Sequence, residues 1–207
     1  MGDDTANVVA LLMAAKYIIQ HQLTPENTGV LLVVNSCEEG LGNLKGCRKI
    51  MDTFGTRVRE FVTFDAGVFT VINDAVGSRR YNIEIKTEGG HSYSAFGNRN
   101  AIACMAELIH DLYSVPVPPI GKTTYNVGTI SGGTSVNTIA QQAKMLYEFR
   151  SDKREALQIM EDTFRQIIAS HRKKGLDITV TPVGDRPCSG NVDPEAQEAL
   201  SQRAVQA

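Results

Sequence analysis

The sequence predicts an α/β protein in two parts: a piece of a layered α/β body and, inserted into it, a complete α+β unit of order β-α-β-β-α-β. Three observations carry this expectation. Residues 29–35 (Gly-Val-Leu-Leu-Val-Val-Asn) are an apolar run of strand length, the mark of a central parallel strand covered on both faces. A helical pattern at 43–54 and a second strand-like run at 58–64 follow, and strand, helix, strand at these lengths makes a right-handed parallel crossover. Beyond Asn73 the character changes, because Tyr81, Ile83 and Ile85 alternate with Asn82, Glu84 and Lys86, the period of a strand with one buried face.

The elements follow in order. Val8, Leu11, Leu12, Ala15, Ile18 and Ile19 recur at helical spacing over 5–20, with Val9, Met13 and Tyr17 on the other side. A helix apolar nearly all round calls for packing on several sides. After the two runs and the strand at 81–86, Ile102, Met105, Ala106, Ile109, Leu112 and Tyr113 stripe a helix. Val115-Pro-Val-Pro-Pro119 is an extended connector, and strands are predicted at 123–130 and 144–150, joined past Gly132-Gly133, which reads as a hairpin turn. Asp152 and Glu155 form a capping box for a helix striped by Leu157, Met160, Phe164, Ile167 and Ile168 that ends near Gly175, and Ile178 and Val180 alternate in a last strand. This is the split β-α-β, ferredoxin-like order, with both helices on one face and Glu84, Glu148 and Arg150 on the other. Asp193-Pro194 then opens a further helix. The expected divisions are 1–76, 77–186 and 187–207.

Composition narrows the function. The 21 Lys+Arg against 23 Asp+Glu leave a net charge of −2, which offers no basic field for a nucleic-acid backbone. The longest apolar run, from Val8 to Ala15, falls short of the roughly 20 residues that span a bilayer. Cys37, Cys47, Cys104 and Cys188 show no zinc-site or redox spacing and are too sparse to staple a fold, so they read as reduced thiols in a cytoplasmic protein. Cys37 reads as a small buried hydrophobe and His171-Arg172-Lys173-Lys174 as a solvated helix end.

Carboxylates collect where α/β bodies place chemistry: Asp3 and Asp4 before the first helix, Glu38 and Glu39 after the first run, Asp65 after the second. Adjacent carboxylates repel unless they share a cation or a proton. A metal pair beside a general base would account for them; a helix-dipole contact and solvated loops are the alternative.

Taken in order, Gly2-Asp3-Asp4, Cys37-Glu38-Glu39-Gly40-Leu41-Gly42, Asp65, Gly89-Gly90-His91-Ser92, Ser131-Gly132-Gly133-Thr134-Ser135-Val136-Asn137 and Glu148-Phe149-Arg150-Ser151 resemble the zinc-dependent exopeptidase and amidohydrolase family. That family includes peptidase T, glutamate carboxypeptidase, acetylornithine deacetylase and succinyl-diaminopimelate desuccinylase, and the likeness leans to the peptidase T side. The resemblance implies a partial α/β/α catalytic domain carrying a ferredoxin-like lid that also dimerises. It implies two zinc ions, with Asp3 bridging them, Glu39 and Asp65 as further ligands and Glu38 as the general base. It implies His91 as an oxyanion stabiliser and Asn137 and Arg150 as substrate-binding groups; from the residues alone, Arg150 could equally pair with Glu84 or Glu148. The substrate would be a short peptide or N-acyl amino acid, the assembly a homodimer.

Two features depart from the family. Thr5, Ala6 and Asn7 stand where the bridging Asp is usually followed by x-Lys-Gly, and neither a His-x-Asp strand nor a second ligand His is present. The expected ligand set is therefore incomplete and all-carboxylate, a poor tetrahedral zinc site. The chain reads as a fragment truncated at both ends, with little activity of its own. The competing expectation is a non-catalytic homologue or an isolated dimerisation module.

Overall fold

The computed structural model describes residues 4–38, 40–65, 70–189 and 192–206. The chain divides into two compact units, one of Met1–Ile72 with Glu195–Ala207 and one of Asn73–Pro194.

In the first unit, α1 spans Thr5–Gln20 and α2 spans Lys45–Phe54. Among the described residues of this unit no strand forms, which corrects the expected crossover at 29–35 and 58–64. A strand exists only through its ladder hydrogen bonds, and neither run finds a partner. Their side chains stay open, Leu31 at 54% and Phe64 at 57% of full exposure. For the same reason α1 buries no residue, although its apolar periphery calls for packing on several sides. Cys37 is exposed, not a buried hydrophobe, since there is no core here to take it. The second helix starts two residues later than its periodicity suggests, because Asn43 and Leu44 adopt left-handed backbone (φ 54° and 61°), which no α-helix accommodates.

The second unit contains β1 (Gly77–Lys86), β2 (Gly90–His91), α3 (Ala101–Tyr113), β3 (Thr123–Gly132), β4 (Thr138–Ile139), β5 (Gln142–Ser151), α4 (Arg154–Lys173) and β6 (Asp177–Arg186). The final helix, α5 (Pro194–Gln206), begins at the expected proline. Four long strands make one antiparallel sheet in the order β3-β5-β1-β6, as a ferredoxin-like α+β fold requires. Met105, Leu108 and Leu112 of α3 and Leu157, Met160, Phe164 and Ile168 of α4 pack on Tyr81, Ile83, Ile85, Met145, Tyr147 and Phe149. The alternate residues, Glu84, Glu148 and Arg150 among them, occupy the helix-free face as the period of two demands.

Three local expectations are corrected. Lys153 is the N-cap of α4 and offers no capping oxygen; Asp152 Oδ1 instead accepts the Lys122 N–H (2.9 Å) and Ser151 Oγ that of Lys153 (3.1 Å). His171 is not a solvated helix end: it is fully buried, with Nε2 2.8 Å from Asp111 Oδ2 on α3. The connection from β3 to β5 is no tight hairpin at Gly132-Gly133, since it contains β4.

A buried carboxylate ties β1 to α4. Glu161 accepts hydrogen bonds from Tyr81 Oη (2.5 Å) and Arg165 Nε (2.5 Å) and pairs with Arg79 (3.2 Å). Burial alone would raise its pKa, and these bonds reverse that and hold it below the ordinary value. The same contact, after burial itself, pushes the Tyr81 phenol far up.

Candidate functional site

Where β1 and β5 run out of the main sheet, their extensions stay together. The Thr87 N–H donates to Gln141 O and its hydroxyl to Ala140 O, both at 2.9 Å. Gly90 and His91 then pair with Ile139 and Thr138 as β2 and β4, and the Ser92 N–H donates to Asn137 O (2.9 Å). Two residues 46 positions apart in sequence, His91 and Asn137, thus stand on adjacent rungs of one small ladder.

The local sequence requires this geometry. Gly89 (φ +61°) and Gly90 (φ +132°) lie in backbone regions that side chains rarely adopt, and a Cβ on Gly90 would meet Ala95 Cβ at 2.6 Å. Asn98 Nδ2 donates back to Gly89 O (2.7 Å), and Asn100 Oδ1 caps α3 by accepting from the Ile102 and Ala103 amides.

Local hydrogen bonds fix which atoms of the His91 and Asn137 side chains donate. His91 Nδ1 accepts the Tyr93 and Ser94 amides (3.3 and 3.5 Å), which places the proton of the neutral ring on Nε2 and makes that nitrogen a donor. Asn137 Oδ1 accepts the Ser135 hydroxyl (2.6 Å), leaving the amide nitrogen as a donor. Both side chains are exposed. Two such donors suit a carbonyl oxygen, an oxyanion or a carboxylate. The sequence names Ser135 within its motif without a role and passes over Asn98; a polar side chain two residues from Asn137 and an Asn closing a glycine turn are the signals that point to them.

Arg150 is not brought to this end. It lies near the far terminus of β5, opposite Ser78 and Thr124, whereas Gln142 at the near terminus faces Lys86. Arg150 lies eight residue steps along the strand from Gln142, roughly 26 Å at about 3.3 Å per step. There Arg150 holds Glu148 through Nε (2.9 Å) and Nη2 (3.1 Å), while Arg80 Nε reaches the same carboxylate at 3.0 Å. Burial works against ionisation of Glu148, and the two guanidinium groups override it and lower its pKa.

Of the expected metal residues, Asp3 and Glu39 lie outside the described residues; Asp65 and the expected base Glu38 are exposed. Among the described residues no group of three or more His, Cys, Asp or Glu side chains could hold a metal ion, so those present do not by themselves fit a zinc pair.

Residues 74–176 match the peptidase dimerisation domain family. The chain carries a peptidase dimerisation domain. The matched residues run from β1 through α4 and stop before β6, and they bear out the resemblance to the exopeptidase and amidohydrolase family. The aminobenzoyl-glutamate utilization protein from Klebsiella pneumoniae is similar in fold (TM-score 0.56, 18% identity), covering 64% of this chain and 34% of that one. So is aminopeptidase PepT from Bacillus cereus (TM-score 0.54, 22% identity, 69% and 38%). A hydantoinase/carbamoylase family amidase from Burkholderia vietnamiensis gives 0.55, 19%, 64% and 33%. At these identities the likeness is one of fold, and the chain spans about a third of the length of these structures. No curated protein matches the chain in sequence. No described helix is long and apolar enough to cross a membrane.

Proposed function

We propose that the chain is the dimerisation and lid portion of a metal-dependent peptidase or amidohydrolase, and that it self-associates through β3 and α3. The single observation that carries this is the contrast between the two edges of the sheet. β6 is guarded by Pro182, which has no N–H to donate, and by the charges Asp177, Asp185 and Arg186. β3 (Thr-Thr-Tyr-Asn-Val-Gly-Thr-Ile-Ser-Gly) contains neither a charge nor a proline and exposes Ile130. On α3, which packs beside β3, Ile102, Ala103, Ala106 and Tyr113 are also exposed. An edge without charge or proline, taken up only at the Val127 N–H by the Tyr113 hydroxyl (3.0 Å) among the described contacts, next to small and apolar helix residues suits a second copy of the same chain.

On this reading His91 and Asn137 donate hydrogen bonds to the carbonyl oxygen or carboxylate of a short peptide or N-acyl amino acid. Arg150, at the other end of the sheet, serves a substrate held at a different end of the domain from that pair. The resemblance assigns zinc to Asp3, Glu39 and Asp65 and the base role to Glu38; hydrolysis then belongs to a complete catalytic body, of which this chain holds only the carboxylates. Four free thiols support a reducing compartment, the cytoplasm.

The second reading, an isolated dimerisation module, is favoured by the absence of buried residues in the described part of 1–72. The two are separated by metal content and turnover in the longest natural form of the protein. Bound zinc, with hydrolysis abolished by Glu38→Gln while the metal is retained, supports the enzyme; a form that binds no metal overturns it. The 207-residue chain itself is expected to dimerise and to show no peptidase turnover. Zinc-dependent turnover by this chain would contradict the assignment.

A further inference from the structure

The loop that carries His91 leaves β1 after Lys86 and enters α3 at Ala101, and its two ends are joined at the neck by an ion pair between Glu88 and Arg99. Arg99 Nε donates to both Glu88 oxygens (3.0 and 3.2 Å), and Nη2 donates to Oε1 (2.6 Å). The other arm of the fork, Nη1, donates to Gly175 O (2.5 Å), in the turn between α4 and β6. Gln141 Nε2 donates to the Glu88 carbonyl (3.1 Å), which ties the neck to the segment between β4 and β5, four residues beyond Asn137. Inside the neck the loop is bonded to itself: Asn98 Nδ2 to Gly89 O, Ala95 N–H to His91 O, and the Tyr93 and Ser94 amides to His91 Nδ1.

We propose that Arg99 and Glu88 are positioning residues: their pair closes the neck of the 89–98 loop, anchors it to the α4–β6 turn, and so holds the His91 ring with Nε2 as the donor. This deepens the reading of His91 given above and rests on it for its functional consequence. Both partners are about half-exposed, so the pair adds little to global stability. What it supplies is geometry, because loop closure fixes the relative positions of Gly89, Asn98 and the ring between them. The hydrogen bonds from Arg99, foremost among the causes, hold the Glu88 carboxyl at a pKa of about 2, so the pair stays ionised under all ordinary conditions. Only a planar fork can reach two carboxylate oxygens and a carbonyl at once, so lysine is no substitute despite its charge.

The test uses the full chain, with nitrogen-15 NMR of the His91 ring and amide exchange as readouts, and needs no substrate. In the unsubstituted chain the ring is expected as the Nε2–H tautomer, with the Ser92 and Ala95 amides protected. Arg99→Lys should shift the ring toward the solvent mixture of tautomers and cut that protection roughly tenfold, while β1 and β5 amides stay unchanged. Glu88→Gln, which keeps one acceptor oxygen, should give a smaller change of the same sign and stands in if Arg99→Lys fails to fold. Unchanged tautomer and protection in the folded variant overturns the proposal. If the ring loosens as expected but hydrolysis by the natural enzyme is unaffected, the positioning role stands and the catalytic role of His91 falls.

Discussion

Residues 29–35 and 143–149 are both strand-length segments rich in apolar side chains, yet only the second becomes a strand. β5 lies between β3 and β1, so every backbone group along it has a neighbour, and α3 and α4 seal its inner face. The run at 29–35 has stronger hydrophobicity and no ladder. The difference teaches that apolar pattern specifies which side of a strand is buried, while the strand itself depends on partners that another part of the chain must supply.

The largest expected consequence is in amide exchange. Amides of β1 and β5 should exchange only through global unfolding, about a thousandfold or more slower than those of 29–35 and 58–64. Limited proteolysis should likewise leave a core near 73–194; equal protection in both units would break the comparison. Next in size is Phe164→Ala. The Phe164 ring stacks against Tyr81 (4.6 Å between centroids) and Tyr147 (5.6 Å), so its loss should cost about 3–5 kcal/mol in urea unfolding. Leu31→Ala, at a half-exposed side chain, should stay within about 0.5 kcal/mol.

Glu161→Gln should cost about 2–3 kcal/mol near neutrality, because it weakens a buried set of charged hydrogen bonds. Since the folded carboxyl titrates below its unfolded value of about 4.3, its contribution is full above that pH and fades as pH falls through the folded value. The variant should therefore show a shallower acid limb in a stability profile; an unchanged limb would remove Glu161 from the account. Below Phe164→Ala and Glu161→Gln in global cost comes Gly90→Ala, about 1–2 kcal/mol, since the strain is confined to the turn. Its signature should be local, a loss of the Ser92 amide's protection.

Much of the second unit was legible because its signals are local. Alternation in 81–86 assigns Tyr81, Ile83 and Ile85 inward and Glu84 outward, and the stripe 102–113 assigns Met105 and Leu112 to the core. His171 was not legible: its neighbours are cations, and only the approach of α3 shows that Asp111 waits for its ring. The capping box failed because Asp152 is drawn to the Lys122 amide, a contact 30 residues away that no local pattern records. In the site, the glycines announced a turn at His91, but its ladder with Thr138, and hence its pairing with Asn137, is a product of the β1–β5 register. That register equally sends Arg150 to the other end.

The account stands most directly on the open edge of β3, and sedimentation of the intact chain tests it. The unsubstituted protein should sediment as a dimer, twice 22.5 kDa, and Ala106→Glu, which places a charge on the exposed face of α3 without touching the core, should sediment at 22.5 kDa with its circular dichroism intact. A folded chain that remains monomeric at every accessible concentration, or an Ala106→Glu variant that dimerises as well as its parent, would contradict it.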